Sequence, residues 1–245
     1  MTSKERIDFF EDELNLIKSK NLKKFAKEIL KNADDYFFIM PASTSNKYHP
    51  EYTNVPGGLL LHTKAVIQFI IYIIETKIFS INEHEKDLLI IAGLAHDIKK
   101  MGDGKIEVTV KNHPKLGADY VKDIYLKNDK LLNNNDIQYI ANAIKNHMGL
   151  WDNNIIFNNN GEKILHLADY LASRKNIEVS FKKEINKKDI INVNEYIIDF
   201  GKYNGKHFNE IPMDYLEWCN ENVKKPIFKS MLKKYLKEYK HVAQK

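Results

Sequence analysis

Cysteine occurs once in the 245 residues, at position 219. A single thiol excludes an internal disulfide and a thiolate metal cluster, and it suits a reducing compartment, so a cytoplasmic protein is expected. Any metal would have to rely on histidine and carboxylates. Proline and glycine are scarce as well, at 6 and 10, which argues against low-complexity, collagen-like and turn-rich all-β chains. The most apolar run, 66–74, is far shorter than the roughly 20 residues of a membrane span. It follows His62, Thr63 and Lys64 and reads as a buried core helix, so no membrane partner is expected. The opening MTSKERIDFFEDEL is acidic and amphipathic, unlike a secretory signal. Neither sign of charge dominates: a net charge of +5 permits an anionic partner without requiring one.

The composition that remains, 43% hydrophobic and 29% charged, is that of a mainly helical globular protein with one sizeable core. Residues 5–34 read as two amphipathic helices, Ile7, Phe10, Leu14 and Ile17 marking one face. A loop over 40–58 is signalled by Pro41, Pro50, Pro56 and the Gly57-Gly58 pair. Further helices are expected over about 59–77, 85–99, 115–127, 135–148 and 162–175. The stretch 175–195 reads as a helix-poor connection. Beyond it, Asn204-Gly205 is a strong two-residue hairpin signal, followed by helices over about 213–222 and 226–241. The expected division is a domain over 1–190 and a small hairpin-plus-helices module over 195–245.

Three of the helices carry residues out of keeping with their surroundings. His96 and Asp97 end the apolar stretch 88–95, His62 lies one turn into the helix after Gly57-Gly58, and Asp169 sits within Ile164-Leu165-His166-Leu167-Ala168. A charged carboxylate in such company is costly unless paired or bound to a cation. Each residue alone has a plain alternative, a hydrogen-bonded core histidine or an exposed acid. As a set of imidazoles and carboxylates, they suit Mn, Fe, Ni, Co or Zn, with Mg a further candidate.

The segments Gly58-Leu59-Leu60-Leu61-His62-Thr63, Ala92-Gly93-Leu94-Ala95-His96-Asp97-Ile98-Lys99-Lys100 and Leu167-Ala168-Asp169 resemble, in order and spacing, the motifs of the HD-domain metal-dependent phosphohydrolases. The resemblance spans about residues 30–180 and implies an HD-type helical bundle. It implies that His62, His96, Asp97 and Asp169 bind a divalent metal, with His113 and His147 holding a second ion bridged by Asp97. One ion, with these two histidines on phosphate, is the alternative. Where some two-metal members have adjacent histidines, Met148 follows His147 here, and Lys99 stands where glycine is common. The implied reaction is hydrolysis of a phosphoester by a hydroxide generated on the metal. Asp97 and Lys100 are central to it, Lys100 neutralising a phosphate oxygen.

The loop with Lys47 and His49 resembles that of HD-type 3′–5′ exoribonucleases, which makes those two, with Lys99, Ser173 and Arg174, candidates for substrate contact. The stretch Phe200-Gly201-Lys202-Tyr203-Asn204-Gly205-Lys206, with Ile211-Pro212 and Tyr215-Leu216-Glu217-Trp218, looks like a small uncharacterised module found beside exonuclease-related proteins. Its Lys202, Tyr203 and Lys206 could contact nucleic acid, or its aromatics could form a mini-core. The expected activity is that of a phosphodiesterase on single-stranded nucleic acid, of 3′–5′ exonuclease type. Two alternatives stand beside it: a hydrolase of nucleoside monophosphates or cyclic nucleotide messengers, and a non-catalytic, metal-stabilised nucleic-acid-binding protein. A lysine-lined open groove would favour the polymer, and a pocket fitted to one base would favour the small molecule.

Overall fold

A computed structural model of the chain describes residues 1–43, 48–104, 108–128, 131–151, 156–179, 193 and 196–242. Among these the secondary structure is helical, with no strand. Ser3–Asp8 (α1), Glu11–Leu16 (α2), Lys20–Lys31 (α3) and Asp35–Ile39 (α4) precede the long Gly58–Glu75 (α5). Then come Glu83–Ala95 (α6), His113–Lys127 (α7), Asn134–Asn146 (α8) and Asn160–Ala172 (α9), and finally Met213–Asn222 (α10) and Pro226–Val242 (α11).

The first helical stretch is broken more often than its periodicity predicts. The cause at Lys18-Ser19 is tertiary: the buried Asp87 carboxylate of α6 accepts from both backbone N–H groups, at 3.0 and 2.8 Å. Ser19 then caps α3 by accepting from Leu22 N–H. Leu22, Phe25, Ala26, Ile29 and Leu30 of α3 are buried, an i, i+3, i+4, i+7, i+8 stripe facing the core. Each large side chain among them contributes about 2 kcal/mol by leaving water.

At the centre lie α5 and α6. Every residue of α6 from Asp87 to Ala95 is buried, so beyond its first turn the helix has no solvent face, and an Asn82–Glu85 capping box sets its start. By length and composition α5 could cross a membrane, yet 67% of that stretch is buried inside the protein, where it serves as a core helix. It packs against α6 and α9, while α8 packs against α6, α7 and α9.

Within α5 the buried Lys64 ammonium is paired with the buried Glu13 carboxylate of α2 and donates to Phe9 O at 2.9 Å. A buried pair broken from one side leaves an uncompensated charge. Lys64→Met should therefore lower unfolding free energy by about 3 kcal/mol in urea titration. The double change with Glu13→Leu should recover most of the loss, and an unchanged urea midpoint for the single variant would refute the role.

A second apolar cluster gathers Val193, Ile198, Phe208, Ile211, Leu216, Cys219, Phe228, Met231 and Leu232, and Ile227 packs against both clusters. Most of the connection around 180–195 lies outside the described residues. The two-residue turn expected at Asn204-Gly205 does not form. Such a turn needs positive φ at both central residues, and here only Gly205 (83°) and, earlier, Gly201 (69°) have it. A wider loop results, closed by a single antiparallel bridge, Ile197 to His207. Phe200, Tyr203 and Tyr215 pack on the second cluster, while Trp218 is exposed.

Candidate metal centre

Five elements deliver six ligand-type side chains to one place. His62 comes from the second turn of α5, His96 caps the C-terminus of α6 with Asp97 next to it, His113 opens α7, His147 caps α8, and Asp169 lies in α9. All six are buried. Glycine allows the close approaches that this requires. A Cβ on Gly58 would lie 1.8 Å from the Thr53 carbonyl oxygen, and one on Gly117 would crowd the Ile144 side chain of α8 at 3.1 Å. The first glycine seats the preceding loop on the start of α5; the second lets α7 pack closely on α8.

Two triads result, His62–His96–Asp169 and Asp97–His113–His147, each with its ligand atoms within 4.8 Å of one another. Asp97 joins them. Its Oδ2 lies 3.5 Å from His96 Nε2 and 3.7 Å from His62 Nε2, and its Oδ1 lies 3.2 Å from His113 Nε2 and 3.8 Å from His147 Nε2. Asp169 Oδ1 stands 3.0 Å from His62 Nε2.

The imidazoles fit a cation. His96, His113 and His147 each place Nδ1 at 2.7–2.8 Å from the carbonyl oxygen three residues back, on Gly93, Val110 and Ile144. An Nδ1–H donated to a carbonyl leaves Nε2 as a bare lone pair. Three such lone pairs converge with two carboxylates. The buried His147 Nε2 and Asp97 Oδ1 have no hydrogen-bond partner, which is costly for polar atoms away from water. A divalent cation in each triad would satisfy them, and with N and O donors only, the site suits a transition metal over a thiophilic one.

The electrostatics agree. Burial opposes the charge of Asp97, but Lys100 and His96 hold its carboxyl well below the usual range. His62 does the same for Asp169 against its burial. Burial lowers His62 and pushes His147 down to about 3, so both stay neutral and able to ligate. His96 differs: burial would lower it, yet Asp97 carries it above 6.5. A histidine raised in the folded state stabilises the metal-free protein below its unfolded value, and that contribution fades as pH rises through the raised one. Because a ligating Nε2 must be free of its proton, metal uptake displaces it. Metal affinity should thus strengthen as pH rises above 6.5, by up to about tenfold per pH unit while His96 is still losing its proton. Metal titrations in buffers of different ionisation enthalpy should register about one proton released; a flat affinity over that range would contradict the assignment.

Asp97, His113, His147 and Asp169 line a cavity of about 560 Å³. Lys100 lines it too, its buried ammonium 2.5 Å from Asp97 Oδ2. His49, Ser173 and Arg174 are brought to the same wall, with His49 Nε2 3.3 Å from Ser173 Oγ. Lys99 is not. Its ammonium turns away to Asp34 at 2.6 Å and over the Tyr120 ring, because the turn after α6 sends neighbouring side chains in different directions. Lys47 lies outside the described residues. Lys202, Tyr203 and Lys206 are not on this wall; Lys206 pairs with Glu210 and Lys202 lies over Tyr203. Sequence reasoning missed Tyr48, Thr109, Met148, Trp151 and Tyr170, which also line the cavity. The i, i+4 spacing of Tyr170 with Arg174 was the available signal. His166, whose Nδ1 lies 2.7 Å from His147 O, steadies the turn after α8.

Residues 59–174 match the family model of the HD domain. Residues 186–227 match a second one, described as "putative quorum-sensing-regulated virulence factor". No curated protein and no solved structure matches the chain. The segment that carries all six of these ligand-type side chains, residues 59–174, is an HD domain, the fold of metal-dependent phosphohydrolases.

Proposed function

We propose that the chain is a phosphohydrolase with a two-ion centre that accepts a phosphoester about one nucleotide in size. The observation that carries this is the meeting of two buried ligand triads at Asp97 on the wall of a 560 Å³ cavity. That volume falls in the range of small-molecule pockets. Among the described residues its wall holds one lysine, Lys100, and one arginine, Arg174, rather than a lysine-lined groove. Small nucleotides therefore move ahead of the long polymer. When bound, divalent cations supply Lewis acidity to a phosphoryl group and acidity to a water. The residues of the chain do the rest. Asp97 and Asp169 hold the negative charge that attracts the cations, and the carbonyl-anchored histidines keep their lone pairs aimed. Lys100 places an ammonium where a phosphate oxygen gains charge, and Ser173 holds the His49 ring against the same wall.

Stepwise removal of nucleotides from a single-strand end is the second reading. It is favoured by the half-exposed rings of Tyr48 and Trp151 on the cavity wall, which leave room for a strand to depart. The description of the second matched family names a mode of regulation and no chemistry, so residues 186–227 receive no step.

The test is hydrolysis by the full chain, stripped by chelator and reloaded with single metals. Nucleoside monophosphates, cyclic dinucleotides and labelled single-stranded RNA and DNA form the panel. Release of phosphate or of a mononucleotide that returns only with metal is the expected result. Stepwise shortening of strands with inert small nucleotides would reverse the order of the two readings, and no turnover of any substrate under any metal would sink both.

A further inference from the structure

Beyond the ligands, the cavity wall carries three rings and a guanidinium. Trp151 and Tyr170 are stacked, centroids 5.6 Å apart and planes 22° from parallel. The Arg174 guanidinium carbon stands 4.2 Å from the Tyr170 centroid, 5.8 Å from Tyr48 and 6.0 Å from Trp151. Its Nε–H donates to the Tyr170 carbonyl at 3.2 Å, fixing the guanidinium beside the rings. Among the described residues no carboxylate pairs with it. Core rings such as Phe10, Phe25 and Phe37 are fully buried, but Tyr48, Trp151 and Tyr170 keep 52%, 49% and 39% of their surface in contact with solvent. They do so on the same wall as the Lys100 ammonium and the His and Asp side chains of the triads, where a flat, partly apolar ligand would cover them. Nucleobases stack on aromatic faces and guanidinium planes whatever their sequence, whereas a sugar phosphate has no flat π-face to lay on the rings.

We propose that Tyr48, Trp151, Tyr170 and Arg174 form a stacking platform for the nucleobase of the unit whose phosphoester lies beside Asp97 and Lys100. The substrate class is then a nucleotide, free or at a strand end, and not a base-free phosphate ester. The assignment rests on the phosphohydrolase reading for the phosphate, but the base contact can be measured without turnover.

Trp151 is one of two tryptophans, so Trp218→Phe in the full chain leaves it as the only indole reporter. In that background adenosine, which carries no phosphate to hydrolyse, should quench Trp151 emission saturably, and ribose should not. Arg174→Gln and Tyr170→Leu should each weaken the adenosine titration about tenfold, the scale of one lost base–aromatic stack. With AMP as substrate, Trp151→Ala should raise KM about tenfold and shrink the preference for AMP over ribose 5-phosphate by the same factor. Trp151→Phe, which keeps a ring, should restore most of both. Tighter binding of tetraadenylate than of AMP would assign the platform to a strand end, and the reverse order to a free nucleotide; either supports it. Trp151 emission that ignores adenosine, with AMP and ribose 5-phosphate hydrolysed equally well, would overturn the platform and leave the hydrolase. Quenching by adenosine in a protein that hydrolyses no phosphoester would leave the platform and overturn the hydrolase.

Discussion

Asp97→Asn should abolish phosphoester hydrolysis, lowering kcat/KM on the order of 10³-fold or more, while the chain still folds. The substitution keeps the shape and removes the charge at the point where both triads meet. One Asp97 oxygen faces His62, His96 and Lys100, and the other faces His113 and His147. Losing it weakens both cation sites together, and metal catalysis supplies several kcal/mol, about tenfold in rate for each 1.4. A second readout separates loss of metal from loss of fold. A cation that binds the native state alone raises the melting temperature, so the parent chain should melt higher as metal is added and the Asp97→Asn chain should not. Circular dichroism before melting should show the same helix content in both. A variant that keeps its metal-dependent shift and most of its activity would remove Asp97 from the centre of the site.

The candidate ligands were legible in the sequence because each acid contradicts its neighbours. Asp97 and His96 follow a run of eight apolar or small residues and Asp169 sits among Leu and Ile, a cost that only a partner or a cation offsets. The helices were legible through their periodicity and their caps, though the break at Ser19 depends on Asp87, 68 residues away, and no local pattern reveals it. The stacking wall was hidden for a related reason. Trp151 follows α8, beyond any periodic pattern, Tyr48 lies in the proline-bounded loop, and Tyr170 looks like an ordinary solvent-facing position next to Asp169. Packing of α8 on α9 brings Trp151 to Tyr170, and Arg174 adds itself through a backbone carbonyl. Lys99 and Lys100 show the converse. Adjacent in sequence and alike in chemistry, they part at the turn after α6, one to Asp34 and the other to Asp97. The Asn204-Gly205 signal was real as a turn signal, yet the loop is widened by an earlier glycine with positive φ.

His113→Ala should halve the metal content, from two ions per chain to one, and lower kcat by about 100-fold or more. The prediction follows from how separately the two triads are built. The close approaches within the first triad join His62, His96 and Asp169 of α5, α6 and α9 to one another and do not involve His113, so that triad should keep its ion. The second triad depends on His113 and His147, both oriented by carbonyls of their own turns, and on one oxygen of Asp97. The sequence raised an alternative, in which one ion binds and His113 and His147 hold the phosphate instead. Met148, where some two-ion relatives have a second histidine, gave that alternative its weight, and Met148 does line the cavity. The geometry speaks against it. His147 Nε2 is buried without a partner, 3.8 Å from a carboxylate oxygen that also has none. Two acceptors so placed need a cation between them, whereas a phosphate would set a second negative group against the Asp97 carboxylate. Elemental analysis of the loaded chain decides the matter. Two ions falling to one in His113→Ala, with kcat lost, support the two-ion centre. One ion in both proteins, with the loss falling on KM, would make these histidines phosphate ligands and confine the metal to His62, His96, Asp97 and Asp169.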